Sequence, residues 1–151
     1  MPNHCHNRVS FYSDDTTAIL KLHTIFSRAL DENIKETVFG EFVPEPDWKT
    51  TPNAKGELPI QPKPDSMYPP QFPDGKTDDR WYNWRNQNWG TKWDAYSMEI
   101  DDCEMPNGFE VEFQTAWAPP EEVAAAIKDQ FDDLSMSWFY DEPGCEIAGY
   151  L

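Results

Sequence analysis

Histidine and cysteine are the residue types in this chain best suited to metal binding or nucleophilic chemistry, and His4-Cys5-His6 sets three of them side by side. In an extended segment His4 and His6 point the same way. A zinc site needs about four ligands in a closed shell, and His23, Cys103 and Cys145 are the further candidates. None sits at metal-ligand spacing, so an ordinary N-terminal segment is the better reading. Nucleophilic catalysis needs a thiol or hydroxyl beside a base and an orienting acid. Cys5 with His23 is the available pair, and no local motif accompanies it. Glu110 and Glu112 offer two carboxylates for acid–base work. Their spacing puts both on the solvent face of a strand, and a chain with 28 acids produces such pairs by number alone. Seven glycines are scattered and form neither G-x-G-x-x-G nor a P-loop. The expectation is a protein that is not an enzyme and has no cofactor and no metal.

Charge is the sharper signal. The 151 residues hold 12 Lys and Arg against 28 Asp and Glu, a formal net charge of −16. Residues 93–151 contain 15 acids and one base, Lys128, so nearly all the excess lies there. Such a segment repels phosphate and anionic membrane surfaces. One reading is a solvated surface that keeps the protein soluble. The other is a site for a basic partner, with Asp94, Glu99, Asp101, Asp102, Glu104, Glu110, Glu112, Glu121, Glu122, Asp129, Asp132 and Asp133 as candidates. Duplex DNA carries one charge per about 1.7 Å of axis, and about a dozen carboxylates on one surface would compete for a basic groove. Three cysteines without metal spacing suggest reduced thiols. No apolar run approaches the ~18 residues that span a bilayer, and no leader is visible at the start. A soluble protein of the cytoplasm is the expectation.

The elements that must position these residues are legible in the apolar spacing. Residues 7–12 read as a strand with Val9 and Phe11 on one face. A helix follows over 15–30, with Ile19, Leu22, Phe26, Ala29 and Leu30 as its apolar stripe. Val38–Phe42 reads as a short strand or extended arm. Nine of the 14 prolines fall within 44–73, a density that excludes regular elements. Trp48, Leu58, Ile60, Met67, Tyr68 and Phe72 suggest that this stretch packs on the domain surface. Thr77-Asp78-Asp79 caps a helix from Arg80 to about Gln87. Residues 92–100 read as a strand with Tyr96, Met98 and Ile100 on one side. Phe109, Val111, Phe113, Thr115 and Trp117 alternate with polar or small residues, the clearest strand of the chain. Pro119-Pro120-Glu121-Glu122 opens a helix with Val123, Ile127 and Phe131 as its line. Leu134–Tyr140 is a strand, and 145–151 a last edge strand.

Removing an insertion at about 34–90 leaves β-α-β-β-α-β, the ferredoxin-like plan. The expected fold is therefore one α+β ferredoxin-like domain over 1–151, with an extra C-terminal edge strand and a long proline-rich insertion.

Asn7, the string Trp84 to Asp94 (with Asn88-Trp89-Gly90-Thr91-Lys92-Trp93-Asp94 at its centre), Phe113 to Pro120 (with Thr115, Trp117, Pro119 and Pro120) and Tyr140 to Gly144 resemble the YubB-type family. That family is found on bacteriophages and plasmids and is described as having a ferredoxin-like domain. One departure is His4, where Trp is expected before the cysteine. The resemblance implies a mobile-element protein acting inside a bacterium and brings no established activity. With the charge, it frames the leading expectation: a non-enzymatic acidic protein that blocks a basic nucleic-acid-binding host protein, such as a defence component, by charge mimicry. The alternative is a small nucleic-acid-binding module, in which Arg80, Arg85 and Lys92 beside Trp81, Trp84 and Trp89 form a stacking patch. The plainer role for those tryptophans is to sit in the core or to staple the insertion down.

Overall fold

Strict alternation builds the centre of the sheet. The computed structural model describes residues 2–151. In β3 (Gly108–Ala116) Phe109, Val111 and Phe113 are buried while Glu110 and Glu112 are exposed. In β1 (His4–Tyr12) Cys5, Asn7, Val9 and Phe11 face inward, and His4, His6, Arg8 and Tyr12 outward. β2 (Tyr96–Asp101), β4 (Ser135–Glu142) and β5 (Ile147–Tyr150) complete an antiparallel sheet of order β2-β3-β1-β4-β5. Helices α1 (Thr16–Ser27) and α4 (Glu121–Gln130) cover the inner face. The fold is the expected ferredoxin-like α+β plan with an added edge strand, β5, beside β4.

The inner layer is aromatic. Phe26 of α1 lies against Phe11, Phe109 and Phe113, with ring centroids 5.4, 6.3 and 6.1 Å away. Trp138 of β4 meets Phe113 edge-on at 5.7 Å. A few large side chains thus fill a core that the low aliphatic content could not. Asn7, Thr115 and Trp138 within it are paired, while the buried Nε2 of His23 beside Phe109 has no partner. Asn7 donates to the Thr115 hydroxyl (2.9 Å) and the Cys5 carbonyl (3.2 Å), and its oxygen accepts the Trp138 indole N–H (3.0 Å). Thr115 passes its own proton to the Ala118 carbonyl at 2.7 Å.

Four local expectations change. Val38–Phe42 is a helix, α2, and not a strand. Its first N–H groups have acceptors from outside the segment: the Asp94 carboxylate takes those of Val38 (2.8 Å) and Phe39 (3.0 Å), and the Thr37 hydroxyl takes that of Gly40 (3.0 Å). In α1, Ile25 joins Ile19, Leu22 and Phe26 in the buried stripe, while Leu30 is exposed. The chain tightens to a 3₁₀ turn over Arg28–Leu30, which rotates that residue away from the sheet. In β2 a bulge at Ser97, with φ +52°, interrupts the alternation. Tyr96 therefore stands opposite Gln114 on the outer face, while Met98 is buried and Ile100 pairs with Val111 on the inner one. At α3 (Arg80–Asn88) Asp79 makes no side-chain cap. Asp78 instead takes the backbone N–H of Arg80 at 3.4 Å, together with its guanidinium.

The proline-rich stretch between α2 and α3 holds isolated bridges alone, Ile60 to Gln71 and Gln71 to Thr77. Trp48 and Phe72 pack there around Arg80. Leu58, Ile60, Met67 and Tyr68, expected to pack, are exposed, because the loop turns at its prolines without reaching the sheet. No helix of the described residues is long and apolar enough to cross a membrane.

Replacing Asn7 by Ala would orphan the buried Trp138 N–H. The expected loss is about 2 kcal/mol of unfolding free energy, read from the midpoint shift in urea titrations.

Candidate functional site

The twelve acids singled out from the sequence fall in four places. Glu99, Asp101, Glu110 and Glu112 share the sheet face that no helix covers. There Glu99 stands opposite Glu112, and Asp101 opposite Glu110. Like charges directly across an antiparallel pair destabilise it. Arg8 offsets one of them through a 2.9 Å bond to Glu112, but both side chains are more than half exposed, so the pair contributes little. Ser10 donates to Glu110 at 3.0 Å. Among the described residues Glu99, Asp101 and Glu110 have no ion-pair partner.

Asp102 and Glu104 continue this charge into the β2–β3 connection, where the Cys103 N–H bonds to Asp101 at 3.0 Å. The Cys103 thiol beside Asp101 holds that carboxyl below its ordinary value, and Asp101 pushes the thiol up in return. Glu121, Glu122 and Asp129 belong to α4, and Asp132 and Asp133 to the turn after it. They lie on the helix layer and its end, away from the open sheet face. Asp94 is half-buried, its carboxylate engaged by the first N–H groups of α2. Burial pushes its carboxyl above the ordinary value, against the opposing effect of the Phe39 and Val38 N–H groups.

The histidine and cysteine candidates do not converge. Cys5 is fully buried opposite Thr115, and burial pushes its thiol up to about 11. His23 stacks edge-on against Phe109 at 5.2 Å. Phe109 is six residues along β3 from Thr115, a separation of about 20 Å at strand rise, so Cys5 and His23 form no dyad. His4 and His6 do share the outer face, with His4 Nδ1 2.6 Å from the Tyr96 hydroxyl. Among the described residues no three His, Cys, Asp or Glu side chains are placed to hold a metal ion.

The Trp-rich strings act mostly as fasteners. Trp89 is fully buried against Phe39 and Trp84, and its indole N–H bonds to the Val43 carbonyl at 2.9 Å. Thr91 donates to the Ala116 carbonyl at 2.8 Å. Gly90, at φ +87°, lets this turn lie against Pro119 and Pro120. A Cβ there would come within 3.1 Å of backbone atoms of Pro119 and Glu121. Trp93 and Trp117 differ, being 38 % and 47 % exposed, and Lys92 Nζ lies 4.5 Å from the Trp93 ring.

Two arginines pin the insertion. Arg80 makes a two-pronged bond to Asp78 (2.8 and 2.9 Å), donates to the Thr51 and Trp48 carbonyls (2.8 and 3.1 Å), and lies over the rings of Trp48 and Phe72. Arg85 bonds to both oxygens of Glu45 and lies over Trp81 and Trp89. Glu45 also accepts the Trp48 indole N–H at 2.9 Å. Glu45 carried no sequence signal, because its partners are three and 40 residues away. The insertion also walls a cavity of about 410 Å³, lined by Trp48, Trp81, several prolines, the carboxylates of Glu45, Asp47 and Asp78, and the cations of Lys49 and Arg85.

Arg80→Ala should free the insertion while leaving the sheet intact. The expected outcome is rapid protease cleavage within residues 44–79 and an unchanged far-UV spectrum. Acid should act the same way. Arg80 holds the Asp78 carboxyl below its ordinary 3.8, so this clip contributes its full stability above 3.8 and loses it as pH falls through the depressed value. Pepsin digestion at stepped pH should show cleavage of 44–79 rising below that point.

Residues 92–151 match the family model described as the ferredoxin-like domain in Api92-like protein. No curated protein matches the sequence. The crystal structure of the protein Api92 from Yersinia pseudotuberculosis resembles the whole chain, at a TM-score of 0.52 and 10% sequence identity. The alignment covers 99% of this chain and 93% of that one. At that identity the likeness is one of fold, and it agrees with the strand order: the chain has a ferredoxin-like fold, and its C-terminal 60 residues are similar to the Api92-like domain.

Proposed function

We propose that the protein is a non-catalytic binding protein whose open sheet face, at β2 and β3, docks a basic protein. The carrying observation is the opposition of Glu99 to Glu112 and of Asp101 to Glu110 on a face without a covering layer. Such pairs cost stability in the free protein, and a cationic surface laid across them would relieve that repulsion. Asp102 and Glu104 extend the same charge into the adjoining loop. The net charge of −16 would speed encounter with a basic partner and repel nucleic acid.

The partner in this reading is a nucleic-acid-binding host protein of a defence system, whose groove the acidic face occupies in place of nucleic acid. A YubB-type affinity and an origin on a phage or plasmid, inside a bacterial cytoplasm, belong to the same proposal and rest on the Trp-rich strings. The nucleic-acid-binding alternative has less support, since Arg80 and Arg85 already bond to Asp78 and Glu45.

The test is capture from nuclease-treated bacterial lysate with the tagged protein. A variant with Glu99→Gln, Asp101→Asn, Glu110→Gln and Glu112→Gln should lose a specific basic protein. A control with Glu121→Gln, Glu122→Gln and Asp129→Asn should keep it, and added duplex DNA should release it. Retention by the sheet-face variant, or indifference to DNA, would overturn the reading.

A further inference from the structure

The two edges of the sheet are built differently. At the β2 edge a bulge at Ser97 breaks the ladder, and Glu99 and Asp101 are exposed. Bulges and charges are devices that keep a sheet edge from pairing with another strand. β5 has neither. Ile147-Ala148-Gly149-Tyr150 carries no charge and no proline, in a chain that is 26 % charged. The direction of its backbone groups follows from the ladder. The Leu151 N–H bonds to the Trp138 carbonyl at 3.0 Å, and bonded pairs alternate along antiparallel strands. Gly149 and Ile147 therefore bond to Tyr140 and Glu142, while Ala148 and Tyr150 turn their N–H and C=O groups away from β4. Apolar surface flanks this edge on both sides. Tyr150, 74 % exposed, lies 5.3 Å from the Phe139 ring on the outer face, and Ile147, 41 % exposed, stands on the inner one.

We propose that β5 pairs antiparallel with β5 of a second copy of this chain, about a two-fold axis normal to the sheet at Gly149. A second copy is the occupant because the strand is its own complement in this register. Ala148 of each copy stands across from Tyr150 of the other, so every outward N–H and C=O of those two residues is bonded. On the outer face the small Ala148 leaves room for the large Tyr150. On the inner face Ile147 meets Leu151, which packs against the core. Gly149 meets itself and puts no side chain at the axis. Two chains of net charge −16 repel over most of their surfaces, and at this edge no carboxylates face each other. Glu146 precedes the paired span and Asp141 is one strand back, opposite Ala148 of its own chain. Glu142 is buried, with its oxygens bonded to the Gly144 and Cys145 N–H groups. The axis sets the outer faces of both copies on one side of a continuous sheet, and the pairing does not depend on what the acidic face binds.

The experiment is sedimentation equilibrium of the full chain from about 10 μM to about 1 mM, in about 0.5 M salt to screen the charge repulsion. Amide exchange is followed by NMR at both ends of that range. Pairing of one short strand buries less than the roughly 1,000 Å² of a stable complex, so the dimer forms and dissociates with concentration. The expected mass is 17.6 kDa at the low end, rising towards twice that value at the high end. The Ala148 and Tyr150 amides should exchange severalfold more slowly in the concentrated sample, while those of Ile147 and Gly149, already bonded to β4, change little. Ala148→Pro removes one outward donor and no bond to β4, at a position where an edge strand tolerates proline. It should hold the chain at 17.6 kDa at every concentration. Three results would overturn the proposal: a single copy at about 1 mM, a dimer whose Ala148 and Tyr150 amides exchange as they do in the dilute sample, or a dimer that survives Ala148→Pro. None of these alters capture of a basic protein by the acidic face, so the two ideas fail separately.

Discussion

Phe113 is where the layers of this protein meet. Its ring packs against Phe26 of α1, Phe39 of α2 and Trp138 of β4, at centroid distances of 6.1, 6.0 and 5.7 Å. Phe26 and Phe39 each bring a helix onto that side chain, and Trp138 meets it from β4, which is itself bonded to β1 along an antiparallel ladder. The chain has few aliphatic residues, so the core depends on rings that each cover a large area. Rings with polar edges need partners when buried, which explains the Asn7, Thr115 and Trp138 hydrogen bonds. A small set of polar residues thus orients the apolar ones.

The insertion is held by a different kind of force. Beyond α2, its proline-rich part over 44–79 has no apolar stripe to lay on the sheet and no ladder to join. Guanidinium groups stacked on rings and bonded to carboxylates take that role at Arg80 and Arg85. These contacts lie at the partly buried rim, where a charge-assisted bond is stronger than in open water. They also turn residues that looked available for nucleic acid into internal fasteners. The cavity beside them is walled by prolines and by Trp48 and Trp81.

Charge is arranged unevenly in space as well as along the chain. The acidic C-terminal half supplies β2, β3 and α4, which lie on two sides of the molecule. Its carboxylates therefore divide between the open sheet face, the helix layer and one half-buried cap. Asp94 shows how differently two acids of one segment can act: it fixes α2 from 55 residues away, while Glu99 faces water. A count of acids could not separate them, since the distinction depends on a backbone N–H group distant in sequence.

The order of strands and helices, the inward faces of β1, β3 and β4, and the looped character of the proline-rich stretch were all written in local spacing. Period-two alternation at Phe109 to Thr115 and proline density act on neighbouring residues, so a reader needs nothing distant to see them. The tertiary structure alone decided the helix at Val38–Phe42, the bulge that turns Tyr96 outward, the pairing of Glu45 with Arg85 and the facing of Glu99 by Glu112. Each depends on a group far along the chain: a carboxylate that caps a short helix, a neighbouring strand that sets register, a guanidinium between two rings. Spacing fixes which side of an element is apolar. Which distant polar group lies opposite is settled by closure of the chain.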